Sequence, residues 1–382
     1  MVSSKMQRIS ITPRPNWQDK CDEVGFHFYE LDGLYWNERV CYQFTSEQID
    51  EIEAATQELH ELCLEAVDCI VSEQRYQQLS IDPDFFELCC RSWTREDLSL
   101  YGRFDLAYDG VNPPKLLEYN ADTPTALLEA SVVQWMWLEE VFPDADQFNS
   151  IHEKLLAQFQ TIYENSPPQG KYLHFTCERD TEEDLGTVEY LRDLAMQAGF
   201  ETKHLYIDEV GWDSHRMCFC DWEYQPIKLM FKLYPWEWIV DDEFSQFLLN
   251  EPMQLLEPPW KMILSNKAIL PILWELFPDH PNLLPAYFDS SPLRHPYISK
   301  PIFSREGANI SIYYGDRTYQ TPGIYQDVPV IYQAYFPLPE FQGCYPVLGS
   351  WVIGGEAAGI GIREDRTPIT QNTSQFIPHY FI

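Results

Sequence analysis

Residues 101–120 read Tyr101-Gly-Arg-Phe-Asp-Leu-Ala-Tyr108-Asp-Gly-Val-Asn-Pro-Pro114-Lys-Leu-Leu-Glu-Tyr-Asn120. Gly102–Tyr108 and Lys115–Asn120 each read as a strand, and Asp109–Pro114 between them is rich in turn formers, which predicts a β-hairpin. The two-residue period puts Glu118 and Asn120 on one face of their strand. If the hairpin pairs as read, Arg103 and Asp105 share a face of the neighbouring strand, and four polar groups converge. Two carboxylates and an amide carbonyl are hard oxygen donors. They suit Mg²⁺, which needs few protein ligands where phosphates complete its shell. An arginine beside them can neutralise charge on a transferring phosphoryl group. A solvent-facing strand carrying an ion pair fits the same spacing.

Two glycine-bearing stretches lie far downstream. In Ile298-Ser-Lys300-Pro-Ile-Phe-Ser-Arg-Glu-Gly307-Ala-Asn-Ile310 a lysine sits in an apolar strand ahead of a small-residue loop. Such a segment can cover nucleotide phosphates, the lysine acting as a point charge and backbone N–H groups cradling the oxygens. An ordinary hairpin with a surface lysine reads the same way. In Gly354-Gly355-Glu-Ala-Ala-Gly359-Ile-Gly361-Ile-Arg363 the glycines fit a tight hairpin or a close approach to a ligand, and Arg363 is a second candidate phosphate clamp. Walker A, G-x-G-x-x-G after an early strand, H-E-x-x-H, G-x-S-x-G and the protein-kinase motifs are all missing, so those chemistries are set aside.

The flanking sequence reads as mixed α and β. Thr45 and Gln48 form a candidate capping box, and apolar residues recur at helical spacing from Ile49 to Ile70, predicting a helix over 46–79. A second helix is expected over Pro124–Val141 after the cap Asp122-Thr123. Residues 171–206 read as strand (Tyr172–Phe175), acidic loop (Glu178–Asp184), helix (Leu185–Ala198) and strand, with Gly199 as the helix stop. Residues 212–240 are tryptophan-rich, and 261–277 look helical. From about Tyr297 short β-type runs dominate and predict a largely antiparallel region. No repeat or low-complexity linker divides the chain.

The chain holds 382 residues, 45% of them hydrophobic and 15% aromatic, enough for a large core. Lys+Arg 26 against Asp+Glu 60 gives a net charge of −34. That charge repels nucleic-acid backbones and anionic membranes, and it suits a cationic ligand such as a polyamine. A merely solvated acidic surface accounts for the bulk of it. Met1–Trp17 shows no signal-peptide pattern and no stretch approaches transmembrane length, so a cytoplasmic protein is expected. The ten cysteines are scattered without a C-x-x-C pair and read as reduced thiols.

Taken together, Gly102-Arg-Phe-Asp105, Glu118-Tyr-Asn-Ala-Asp122, Ser265-Asn-Lys267-Ala-Ile-Leu-Pro271, Lys300-Pro with Arg305-Glu-Gly307, Tyr332-Gln333, and Gly361-Ile-Arg-Glu-Asp365 with Ile369-Thr370 resemble the synthetase domain of the glutathionylspermidine synthase family. The likeness runs from about Trp17 to His379. It implies an α+β (α/β) ATP-grasp fold with permuted motif order, metal-binding strands early and nucleotide-binding lysines late. One synthetase-like unit over residues 1–382 is expected, with soft sub-regions at 17–170 (metal-binding hairpin and helices), 171–255 (substrate side) and 256–382 (nucleotide side). The N-terminal amidase domain of the bifunctional members is not expected.

The resemblance also implies carboxylate–amine ligation. ATP converts a glutathione-like peptide carboxylate to an acyl phosphate, and a spermidine-like amine displaces phosphate. Asp105, Glu118 and Asn120 would hold two Mg²⁺ ions. Arg103, with Phe104 and Asp105, would contact ATP, and Arg103 would stabilise the phosphoryl-transfer transition state. Lys267, Lys300 and Gly307 would serve the phosphates, and Gln333, Ala334 and Tyr335 the adenine. Ile369 and Thr370 would lie near the nucleotide, and Arg363 would be a second charge clamp. Thr123, Glu182 and Glu183 would face the peptide or the amine. Thr123-Pro-Thr125 and Tyr234-Pro-Trp-Glu-Trp238 differ from the glutathione-specific pattern, which leaves the substrates open. A non-catalytic acidic protein of the same fold that sequesters nucleotide or polyamine is the rival reading, and oligomeric state is not legible.

Overall fold

In the computed structural model, residues 101–120 form an antiparallel pair, Tyr101–Ala107 with Lys115–Asn120. Arg103 lies opposite Asn120 and Asp105 opposite Glu118, the register that the polar alternation predicts, with an irregularity after Asp105. The structure describes residues 6–30, 33–167 and 170–382. The Met1–Lys5 part of the N-terminal reading lies outside them.

The hairpin has two unlike faces, which fixes its register. Phe104 and Tyr119 stack with ring centroids 3.8 Å apart, over buried Leu106 and Leu116. Burial of Phe104 alone contributes about 2–3 kcal/mol. A one-residue slip would turn this apolar set outward and the four polar groups into the core. Tyr345–Ile353 pairs with Tyr101–Ala107 and continues into Glu356–Asp365 and Gln375–Ile377, making a five-stranded antiparallel sheet with the hairpin at one end. Helix Ser46–Ser72 covers it, and Ile52, Leu59, Ala66 and Ile70 share one core with Phe104, Leu348 and Ile362. The Thr45–Gln48 capping box is present. The helix ends before the expected residue 79, because Gln74 turns left-handed (φ 57°) and a 3₁₀ turn follows at Arg75–Leu79.

The late β runs divide between two sheets. Tyr297–Pro301 is the central strand of a second antiparallel sheet with Ala286–Tyr287, Ser311–Tyr314, Arg317–Gln320 and Val330–Ala334. A third sheet is parallel: Gln254–Leu256, Leu229–Leu233, Tyr172–Cys177, Glu201–Tyr206. Its helix runs from Glu182 to Gln197, so part of the expected acidic loop is the first helical turn. Carboxylates are favoured at that end of a helix. Gly199 closes it at φ 109°.

Two expected helices begin or break elsewhere. The one expected from Pro124 starts at residue 127, passes through a π-helical turn at Glu129–Val133 and continues as Gln134–Val141. Ala126 is left-handed (φ 65°), so Thr123-Pro-Thr125 stays outside as irregular chain. The helix expected over 261–277 is two helices, Lys261–Leu264 and Ile269–Leu276. Asn266 sits in the gap, where its side chain accepts from the Ala268 N–H and donates to Leu79 O. Among the described residues no helix is long and apolar enough to cross a membrane, and the ten cysteines are free.

Candidate active site

A cavity of about 590 Å³ opens between the polar face of the hairpin, the second sheet and the acidic helix Glu182–Gln197. The hairpin contributes Arg103, Asp105, Glu118 and Asn120, and Lys300 faces them from the second sheet. These segments are distant in sequence and meet where Lys300 Nζ and Gln333 Nε2 donate to Leu117 O and Leu116 O of the hairpin.

The hairpin groups interact directly. Arg103 Nε donates to Asp105 Oδ1 at 2.8 Å, and its Nη1 donates to Thr125 O at 2.7 Å. The guanidinium lies flat on the sheet because residue 349 is glycine: a Cβ there would stand 2.7 Å from Arg103 Cδ. Asn120 Nδ2 donates to Glu118 Oε1 at 3.3 Å. Metal ligation by Asn120 requires its carbonyl to turn inward, a flip of the terminal amide. Burial and the neighbouring Glu118 charge push the Asp105 carboxyl up against the pull of Arg103. The described residues hold no cluster of three or more His, Cys, Asp or Glu able to bind a metal. Two carboxylates and an amide fit Mg²⁺ when ligand oxygens supply the remaining positions.

Both lysines converge on Glu118. Lys267 Nζ lies 3.1 Å from Glu118 Oε2 and also donates to Ser304 O. Lys300 Nζ donates to Leu117 O at 2.7 Å and to Gln333 Oε1 at 2.9 Å. Burial opposes ionisation of Glu118, yet Lys267 and Lys300 hold its carboxyl down at about 2. Burial lowers the Lys300 ammonium to about 8 despite Glu118. An anion with several charges placed here would favour the charged form of Lys300.

Most of the remaining expected residues line this cavity: Thr123, Glu183, Gly307, Ala334, Tyr335, Arg363, Ile369 and Thr370. Gly307 is left-handed (φ 70°), and a Cβ there would lie 2.5 Å from Thr370 O, so only glycine brings the two loops together. Arg363 Nη2 donates to Gln371 O (2.7 Å) and Asn372 O (2.8 Å), while its buried Nε and Thr370 Oγ1 lack protein partners.

Two expectations, those for Phe104 and Glu182, need correction. The Phe104 ring stacks on Tyr119 in the core, so only its backbone is on the site side. Gln333 lines the cavity with Ala334 and Tyr335, and its side chain also braces Lys300 and donates to Leu116 O (3.2 Å). Glu182 is exposed and off the cavity wall, because the helix begins at that residue and turns it outward; Glu183, Asp184 and Glu178 line the wall instead. Of the two readings of the glycine run 354–361, the structure follows the tight hairpin: Gly354 and Gly355 make the turn, and Gly361 admits the Phe376 ring.

Several site groups were outside the expected set. Arg305 bridges Glu237 (3.1 Å) and the Thr123 hydroxyl, and lies over Trp238. Thr123 is anchored from below, since buried Asp122 pairs with Lys232 and accepts from Trp236 N at 2.9 Å. Burial together with Glu183 pushes Asp184 up to about 7. Ile298, Ile310, Ile312, Ile369 and Tyr335 form a small separate apolar cluster at one end of the cavity.

Residues 8–382 match the protein family described as glutathionylspermidine synthase preATP-grasp. The chain is 42% identical over 398 residues to a Haemophilus influenzae protein provisionally named an acid–amine ligase, covering 99% of this chain and 100% of that one. It is 28% identical to the bifunctional glutathionylspermidine synthetase/amidase of Escherichia coli (95% of this chain, 63% of that one). Against the trypanothione synthetase of Crithidia fasciculata it is 27% identical (94% and 57%). The chain thus spans less than two thirds of the length of the last two relatives. Among solved structures, a glutathione synthetase-like effector from Globodera pallida in apo form has the same overall fold, with TM-score 0.58 at 9% identity, covering 97% of this chain and 100% of that one.

Proposed function

The chain belongs to the glutathionylspermidine synthase family, and we propose that it is an ATP- and Mg²⁺-dependent acid–amine ligase of permuted ATP-grasp architecture. The observation that carries this reading is the pairing of Glu118 with Lys267, with Lys300 facing the same hairpin across the cavity. An early hairpin supplies oxygen donors, late segments supply ammoniums, and the hairpin groups and Lys300 line one cavity.

In this reading Asp105, Glu118 and Asn120 hold Mg²⁺, which when bound neutralises phosphate charge and fixes the transferring group. Lys267 and Lys300 bind phosphate oxygens. The Ile298–Ile310–Ile369 cluster, with Tyr335 and the backbone of Ala334, encloses the adenine. A carboxylate oxygen of the acid substrate attacks the γ-phosphorus, the bond to the β–γ bridging oxygen breaks, and ADP leaves. Arg103, held flat beside Asp105, offsets the charge spread over the phosphoryl oxygens. Arg363 steadies the Gln371–Asn372 loop and adds positive charge. The neutral amine then attacks the acyl carbon, phosphate leaves with its electron pair, and the amine proton is released to base or solvent.

The loop around Gly307 covers the acyl phosphate against water. Glu183, Asp184 and Glu178 form the amine side and suit a substrate with further ammonium groups, as in a polyamine. Thr123 and Arg305 form the acid side and suit a peptide carboxylate. Coupled ADP release over a matrix of peptide acids and amines tests the reading, with mass detection of the amide. Turnover should require one acid and one amine together, and Asp105→Ala should abolish it. ATP binding without turnover for any pair would favour the sequestering rival.

A further inference from the structure

A second cavity, of about 380 Å³, lies on the opposite side of the short helix Trp236–Asp241 from the large one. The helix is a partition: Trp238 faces the large cavity, while Trp236 and Val240 face the second. The 300–305 segment is shared in the same way, with Lys300 and Arg305 on one side and Phe303 on the other.

The chamber has an apolar interior built from Ile81, Trp236, Val240, Met262 and Phe303. Three carboxylates join the wall, Glu237 within and Asp82 and Asp241 at the exposed rim, alongside the neutral Gln77, Ser80, Pro83 and Ser265. Its lining includes no Lys, Arg or His, and among the described residues neither Asp82 nor Asp241 has an ion-pair partner. Glu237 gives one oxygen to Arg305 across the partition, and burial pushes its carboxyl up.

Acidic groups alone would say little in a chain of net charge −34. The apolar chamber beneath them is what selects. An inorganic cation, or a polyamine polar along its length, gains nothing from five hydrophobic side chains. An ammonium joined to a hydrocarbon or aryl body gains from both, the body removing apolar area from water and the ammonium meeting the rim carboxylates. Concave, mostly apolar chambers of a few hundred Å³ with a few charged groups are the usual form of small-molecule sites.

We propose that this chamber is a second small-molecule site, for an organic monocation with an apolar body, distinct from the ligase site and independent of the ligase reading. Isothermal titration of the full chain with phenethylammonium tests it, with 2-phenylethanol as the neutral counterpart. One equivalent should bind, at least tenfold tighter than the alcohol. Asp241→Asn, which keeps the shape and removes the charge, should weaken binding by about two- to fivefold. Val240→Phe, which fills the chamber, should weaken it at least tenfold, with folding checked by circular dichroism. Asp82→Asn at the exposed rim is the second charge variant should Val240→Phe fail to fold. Glu183→Gln in the large cavity should leave the affinity within twofold. The proposal is overturned if wild type does not bind, if the alcohol binds equally, if Asp241→Asn is without effect, or if only Glu183→Gln weakens binding.

Discussion

Glu118 on the early hairpin and Lys267 in the gap between two short helices form an ion pair at 3.1 Å. A protein cation thus neutralises the group assigned to Mg²⁺, and loading the site must redirect Lys267 to phosphate. Lys267→Ala leaves Glu118 partly buried without its partner, a change that costs about 1–3 kcal/mol. Melting temperature should fall, and millimolar Mg²⁺ without nucleotide should recover more of it in the variant than in wild type. Equal Mg²⁺ response in both proteins would contradict the assignment.

Lys300 gives a pH signature. Its ammonium is lowered to about 8 by burial, so above that pH the empty site loses a positive charge. Nucleotide phosphates favour the charged form. ATP affinity should therefore fall as pH rises above 8, by up to tenfold per unit, with proton uptake on binding seen by calorimetry in buffers of different ionisation enthalpy. Because the folded value lies below the ordinary 10.5, the unfolded chain holds more protons between about 8 and 10.5. This group alone then makes stability rise with pH in that window.

Gly349→Ala should displace the Arg103 guanidinium, since the added Cβ would stand 2.7 Å from Arg103 Cδ. A misplacement of this kind costs on the order of 100-fold in turnover. The KM for ATP should move much less than kcat, and a kcat within threefold of wild type would count against Arg103 as the transition-state group.

Asp184 should set the pH dependence of amine use. Its carboxyl sits near 7, through burial and the adjacent Glu183 charge. It is ionised above that pH, so the KM for a cationic amine should fall as pH rises through 7. Asp184→Asn should flatten this limb without changing the ATP dependence.

Phe104→Ala should destabilise the protein by about 3–5 kcal/mol, because it empties the face of the hairpin stacked on Tyr119. Its denaturation midpoint should shift accordingly, while ATP affinity per folded molecule stays near wild type. A selective loss of ATP binding in a fully folded variant would restore Phe104 to the nucleotide site.

Local signals carried far in this chain. The alternation of Arg103, Asp105, Glu118 and Asn120 with Phe104 and Tyr119 specified the hairpin, its register and its polar face, because a period of two leaves one consistent solution. The Thr45–Gln48 box and Gly199 marked helix ends through chemistry confined to a few residues. The helix assigned from Pro124 began too early because Ala126 takes a left-handed conformation, which Arg103 supports from another strand by holding Thr125 O. A contact of that kind has no signature in the local pattern.

What the sequence by itself determined was therefore the chemistry of the parts: oxygen donors on one strand face, lysines and glycines in late loops, and an apolar set to bury. Tertiary structure alone decided their company. It set Lys267 and Lys300 against Glu118, braced Lys300 with Gln333, rotated Glu182 away in favour of Asp184, and put Arg305 between Glu237 and Thr123. The reason is physical: backbone periodicity fixes which side chains share a face, whereas contacts between faces depend on how sheets from distant segments pack, and on the charge and burial that packing creates.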